Sequence, residues 1–87
     1  MVSNGLSREE TSAVNDRVNR DILDKLNRVD CTALTLAFQA RVKKNTAYRH
    51  LIELQEVGLV VVAYSEGQKQ FWGLSPRGEL VVGRLKQ

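Results

Sequence analysis

The stretch Thr32–Val60, TALTLAFQARVKKNTAYRHLIELQEVGLV, decides how the rest of this 87-residue chain is read. It divides into a helix, a tight turn and a second helix that stops at Gly58. Leu34, Ala37, Ala40 and Val42 form the apolar side of the first part. In the second part Ala47, Leu51, Leu54 and Gly58 recur at steps of four, three and four, the period of a helix with one buried stripe. No glycine stands in the turn at Arg41–Val42, so a residue with a side chain must adopt its backbone geometry, with Val42 plugging the angle between the helices. Gly58 is placed to close the second helix in the left-handed conformation.

The other side of the second helix carries Asn45, Tyr48, Arg49 and Ile52, just after Lys43 and Lys44. A helix anchored by one stripe and presenting basic, amide and aromatic groups on the other suits a DNA major groove. Asn45 and Thr46 lie in the first turn, the part of such a helix that reaches base edges. Arg49 has the fork that pairs with guanine, or on the bland reading a surface pairing with Glu53. Tyr48 is set to meet a phosphate or thymine methyl, or to pack on the next element. Arg41, Lys43 and Lys44 are backbone-contact candidates, which set affinity and register rather than sequence choice. Lys43 stands where an N-cap belongs, although lysine is a poor cap and its charge opposes the helix dipole. A phosphate at that helix start would relieve the conflict; alternatively the helix begins at Asn45, a good cap.

Charge distribution points the same way. The net charge is +3, but residues 1–30 hold five bases against six acids, whereas Cys31 to Ile52 hold four bases and no acid. The length allows one small domain without a separate ligand-sensing domain. One cysteine excludes an internal disulfide, and with a single histidine it leaves too few ligands for a structural zinc site. The longest apolar run, Leu59 to Tyr64, is too short to span a bilayer, and a cytoplasmic protein is expected. No carboxylate pair, nucleophile–base set or phosphate-cradling glycine loop is present, so no enzyme activity and no cofactor are expected.

Outward from the central stretch, residues 1–7 read as a flexible N-terminus, with Ser7 and Glu10 spaced for a capping box. Val14, Val18, Ile22, Leu26 and Val29 predict one long amphipathic helix over 8–28, and Leu23 widens its stripe. The following helix is expected over 32–40, capped by Asp30 or Thr32, and the second helix of the central pair over 43–57. After Gly58, β-branched residues and a central Gly67 predict a hairpin over 59–74 with its turn at Ser65–Lys69. Ser75-Pro76 then starts a last helix over 76–86, with Leu80, Val81 and Leu85 on its apolar side. Trp72 and Phe71 alternate across a strand, so one is core and the other partly exposed. His50 borders the buried stripe and reads as a hydrogen-bonded structural histidine, and Cys31 as a small packed residue.

The order helix, helix, helix, strand, strand, helix gives a mainly α chain with a small β-hairpin (α+β), and it resembles a winged helix-turn-helix domain. Leu36-Ala37, Val42, Thr46-Ala47-Tyr48-Arg49-His50-Leu51, Leu54 and Gly58-Leu59-Val60 match the spacing of prokaryotic winged-helix repressors. Phe71-Trp72-Gly73-Leu74-Ser75-Pro76-Arg77-Gly78 resembles the "tyrosine, x, leucine, threonine, x, x, glycine" ending of their wing. Over residues 14–80 the chain is similar to the small MarR-, PadR- and ArsR-like regulators of bacteria, archaea and their viruses or plasmids. The resemblance implies a homodimeric transcriptional regulator on double-stranded DNA, a repressor before an activator. The helix at 43–57 would lie in the major groove, with Gln68 and Lys69 of the wing on the backbone. Neither a membrane nor a small-molecule effector is implied. Three features depart from the pattern: Lys43 in place of serine or threonine, the valine run Val60–Val62, and Glu66 at the wing tip. The alternative is a winged-helix protein-interaction module in a replication or transcription assembly, which an exposed Val60, Val62, Tyr64 and Trp72 would favour.

Overall fold

Among the described residues five helices and one hairpin follow in order: α1 (Arg8–Val14), α2 (Arg17–Leu26), α3 (Ala33–Ala40), α4 (Lys44–Val57), β1 (Val60–Glu66), β2 (Lys69–Leu74) and α5 (Pro76–Leu85). The computed structural model describes residues 5–86, so the first four residues of the expected flexible N-terminus lie outside the described residues. Its remainder is held in place. Leu6 is buried in the core, and Ser7 caps α1 through a reciprocal capping box with Glu10.

The single helix expected over 8–28 is two helices. At Asn15-Asp16 the backbone leaves the helix, and Asp16 turns extended to accept the Asn19 amide at 3.0 Å. Asn and Asp side chains compete with the helix for backbone hydrogen bonds, and here Asp16 does so as the cap of α2. Carbonyls freed at the end of α1 are satisfied from α2: Asn19 Nδ2 donates to Ala13 O at 2.9 Å, and Arg20 Nη1 to Val14 O at 3.2 Å. The apolar stripe crosses the break nonetheless, with Val14, Ile22, Leu23 and Leu26 buried. Val29, past the end of α2, is exposed.

Between α3 and α4 the turn rests on Arg41, whose φ of 61° and ψ of 46° lie in the left-handed region. Its neighbour Val42 is half-buried and donates its amide to Ala37 O at 3.0 Å. The small residues Ala37, Ala40 and Ala47 are buried at this junction, so the two backbones can come close. The core face of α3 differs from the expected one. Ala33, Leu36, Ala37 and Ala40 point inward, whereas Leu34 is exposed. On α5, Val81 and Val82 are buried and Leu80 is exposed, because Gly78 rather than Leu80 faces the core. Thr32 rather than Asp30 caps α3.

β1 and β2 pair antiparallel from Val60↔Leu74 to Glu66↔Lys69, with a bulge between Val62 and Tyr64. The strands run further toward the tip than expected, which leaves a two-residue turn. Gly67 takes the positive φ (59°) that such a turn requires at its first position. Cys31 extends the sheet by one residue, exchanging both backbone hydrogen bonds with Trp72 at 3.1 and 2.7 Å. Trp72 is only 2% exposed and sits at the centre of the core with Leu36, Leu51, Leu54 and Leu59. Burying each such side chain is worth about 1.5–3 kcal/mol. Val60 and Trp72 are buried and Val62 half-buried, so of that proposed contact surface only Tyr64 is exposed.

The start of α5 is bolted to the rest through Ser75, Gly78 and Arg77. Ser75 caps α5 through the Gly78 amide at 2.9 Å and donates its hydroxyl to Gly58 O at 2.6 Å. Gly78 lies against the Leu59 carbonyl so closely that a methyl group there would collide with it. This steric limit is a physical reason for glycine at the end of the wing segment. Arg77 meets Glu10 through two hydrogen bonds, Nε to Oε2 at 2.6 Å and Nη2 to Oε1 at 2.7 Å, tying α5 to α1.

Gly78→Ala is expected to lower stability by more than about 2 kcal/mol, within the range of forced overpacking, measured by urea denaturation. The Arg77 guanidinium holds the Glu10 carboxyl at about 2, below its ordinary 4.5. Because the folded value is depressed, the bridge contributes in full above pH 4.5 and is lost as pH falls toward 2. Glu10→Gln therefore lowers the thermal midpoint at pH 7 and flattens its decline over that acid window.

Candidate nucleic-acid interface

Four of the five described helices begin with a side-chain cap: Ser7, Asp16, Thr32 and Ser75 each accept a backbone amide hydrogen bond. Only α4 lacks one. Its N-cap residue is Lys43, with extended backbone and no side-chain hydrogen bond. The helix begins at Lys44, so Asn45 lies inside the first turn and does not cap it. Consequently the free amides of α4 face outward beside two lysines, where a helix dipole favours an anion.

From this start α4 exposes Lys44, Asn45, Tyr48 and Arg49, while Ala47, Leu51 and Leu54 are buried. Thr46 is half-buried. Ile52, placed on the outer side by the sequence, is half-buried and packs against the core. Arg41, Lys43, Lys44, Arg49 and Lys69 form no ion pair among the described residues. Elsewhere Arg17, Arg28, Arg77 and Lys86 are paired with Asp21, Asp24 or Glu10. The contrast is electrostatic: these ion pairs lie on or beside α1, α2 and α5, and none involves the cations around α4 and the wing. Arg49 accordingly does not make the pairing with Glu53 that was its bland alternative.

Tyr48 meets Trp72 edge-on, with ring centroids 6.2 Å apart and planes at 77°, yet stays nearly half exposed. The packing and the open edge are therefore compatible. Gln68 and Lys69 lie exposed at the wing turn. Behind α4, His50 Nδ1 donates to Asn19 Oδ1 at 2.8 Å, an orientation set by the donation of Asn19 Nδ2 to Ala13 O. This bond docks α4 on α2 and gives His50 the structural role expected of it. Arg17 Nη1 donates to Ala40 O at 3.1 Å and so closes the C-terminal end of α3. Burial pushes the Cys31 thiol up, consistent with a packed residue.

Tyr48, Lys44, Gln68 and Lys69 converge on an open cleft of about 540 Å³ between α3, α4 and the wing. Thr32, Thr35, Leu34 and Gln70 line it as well, although nothing in their sequence pattern marks them as site residues. Assigning Leu34 to the core concealed them; the spacing of Leu34 and Phe38 marks a second, outward face of α3. Among the described residues no group of acids, histidines and cysteines could hold a metal ion, and no helix is long and apolar enough to cross a membrane.

Neither family models nor curated proteins match the sequence. Solved structures do match in fold. NolR from Sinorhizobium fredii superposes with a TM-score of 0.78 at 22% identity, covering 90% of this chain and 78% of that one. A possible transcriptional regulator for arsenical resistance gives 0.74 at 21% identity, covering 93% of this chain and 79% of the other. A homodimeric winged helix-turn-helix DNA-binding domain from Mycobacterium bovis, of a possible ArsR-family regulator, gives 0.73 at 22% identity, covering 95% and 85%. The chain thus has the winged helix-turn-helix fold that its sequence resembles, with one more helix than expected.

Lys43→Ser supplies the missing cap and is expected to raise unfolding stability by about 1 kcal/mol. Chemical denaturation of parent and variant measures it; an unchanged midpoint would mean that the start of α4 is already satisfied.

Proposed function

We propose that this protein binds double-stranded DNA sequence-specifically as a homodimeric transcriptional regulator, a repressor before an activator. The observation that carries the reading is the outward side of α4: an uncapped helix start and unpaired Arg41, Lys43, Lys44 and Arg49, with Asn45 and Tyr48 between them. Placed in a major groove, Asn45, Thr46 and Arg49 reach base edges, and Arg41, Lys43 and Lys44 meet phosphates. Gln68 and Lys69 at the wing turn lie over the flanking backbone. The likeness in fold to a possible transcriptional regulator and to a homodimeric winged helix-turn-helix DNA-binding domain supports the assignment. Two copies joined through the first helical stretch, α1 and α2, and through α5 would present two such helices, and half-sites about one helical turn apart would form an inverted repeat.

A second reading, a protein-interaction module in a replication or transcription assembly, draws on one observation. Phe38 is 78% exposed on α3, with Leu34 exposed one turn before it. The two readings separate by salt, because duplex affinity set by phosphate contacts falls with a log–log slope of several units.

Selection of bound duplexes from a random pool is expected to enrich a palindrome. On that duplex Arg49→Ala should lose preference at one base position per half-site, at a cost of about 1–3 kcal/mol. No enrichment, together with salt-insensitive binding, would move the assignment to the interaction module.

A further inference from the structure

The cleft between α3, α4 and the wing differs chemically from the other groove on the molecule. That other groove, of about 420 Å³ between α2 and α5, is lined by Arg17, Arg20 and Lys86 but also by Asp21 and Asp24. Two of its three cations are paired: Arg17 bonds Asp21 at 2.8 Å, and Lys86 bonds Asp24 at 2.9 Å, while Arg20 donates to the Val14 carbonyl. The cleft beside α4 has no carboxylate in its lining. Instead it holds two lysines from different elements, Lys44 at the start of α4 and Lys69 at the start of β2. Neither makes an ion pair among the described residues.

Hydroxyl and amide groups fill the space between them. Thr32 and Thr35 stand at the start of α3, with their hydroxyl oxygens 3.3 Å apart, and Gln68 and Gln70 come from the wing. The remaining wall is apolar and aromatic: Leu34, Phe71 and the Tyr48–Trp72 pair. Cations and hydrogen-bond donors above an apolar wall match a sugar-phosphate unit, which carries one negative charge beside an apolar deoxyribose face. An isolated apolar ligand would leave both lysines unused, and a cation would be repelled.

We propose that this cleft seats a single phosphodiester of one DNA strand, held by Lys44 and Lys69 together. The hydroxyls of Thr32 and Thr35 and the Gln70 amide complete the site around it, and the sugar lies against Phe71 and Leu34. The proposal rests on the DNA-binding reading and sharpens it. The wing and the helix in the groove would not touch the backbone independently; they would close on the same phosphate. That clamp fixes the register of α4 along the duplex without reading any base.

The test is a scan in which each phosphate of a duplex selected by the parent protein is replaced, one at a time, by an uncharged methylphosphonate. Binding is measured for the parent, Lys44→Ala, Lys69→Ala and, as a control outside the cleft, Arg28→Ala. Several positions should weaken the parent, and one per half-site, costing about tenfold as expected of a charge-assisted hydrogen bond, should depend on both cleft lysines. At that position Lys44→Ala and Lys69→Ala should each lose sensitivity to the replacement, whereas Arg28→Ala keeps the parent pattern. Thr35→Val should reduce the effect at the same position. If the two lysine variants lose sensitivity at different phosphates, or retain the parent pattern, the shared site is overturned while DNA binding stands. If the parent binds no duplex at all, both readings fall.

Discussion

The close packing of α3 on α4 is the contact on which the rest depends. Buried Ala37, Ala40 and Ala47 let the helices approach, and Arg41 holds the connecting turn in a left-handed conformation that a non-glycine residue adopts at some cost. Because that junction consumes only small side chains, the inner stripe of α4 is enough to anchor it. Leu51 and Leu54 reach the core around Trp72, and His50 ties the back of the helix to Asn19. The opposite side is thereby largely released from packing, with only Tyr48 and Ile52 touching the core. It can carry lysine, arginine and asparagine at no cost to the core.

The molecule keeps its charges in two regimes. On α1, α2 and α5 several cations and carboxylates are paired, and hydrogen bonds from the Arg77 guanidinium hold the Glu10 carboxyl far below its usual range against the opposing effect of burial. Around α4 and the wing Arg41, Lys43, Lys44, Arg49 and Lys69 face solvent without an ion pair among the described residues, although Glu66 stands across the hairpin from Lys69. Exposed ion pairs contribute little to stability, so leaving these cations unpaired costs the fold little. It creates instead a local positive field on a small chain of modest net charge. Lys43 follows the same logic at one residue: it forgoes a cap worth about 1 kcal/mol and leaves amides and a positive charge together at a helix start.

Much of this was legible in the sequence. The left-handed stop at Gly58, the Ser75-Pro76 start of α5, the turn at Gly67 and the inner stripe of α4 are local signals with one physical reading each. The break at Asn15-Asp16 was hidden by an apolar stripe that continues at steps of four across it, so periodicity outweighed the side-chain competition that ends α1. The core face of α3 was misjudged for a similar reason. In TALTLAFQA apolar residues occupy both sides, and only the three-dimensional partners decide that Leu36 goes in and Leu34 stays out. The cleft beside α4 was beyond local reading, since it joins residues up to 40 positions apart, Thr32 to Trp72.

The central claim is that the outer side of α4 and the wing turn meet a DNA duplex. Amide chemical-shift mapping during titration with a selected duplex tests it residue by residue. The account predicts perturbations concentrated at residues 41–49 and 68–71, vanishing as salt is raised. Perturbations centred on the groove between α2 and α5, or on Leu34 and Phe38 with residues 43–49 unmoved, would contradict it.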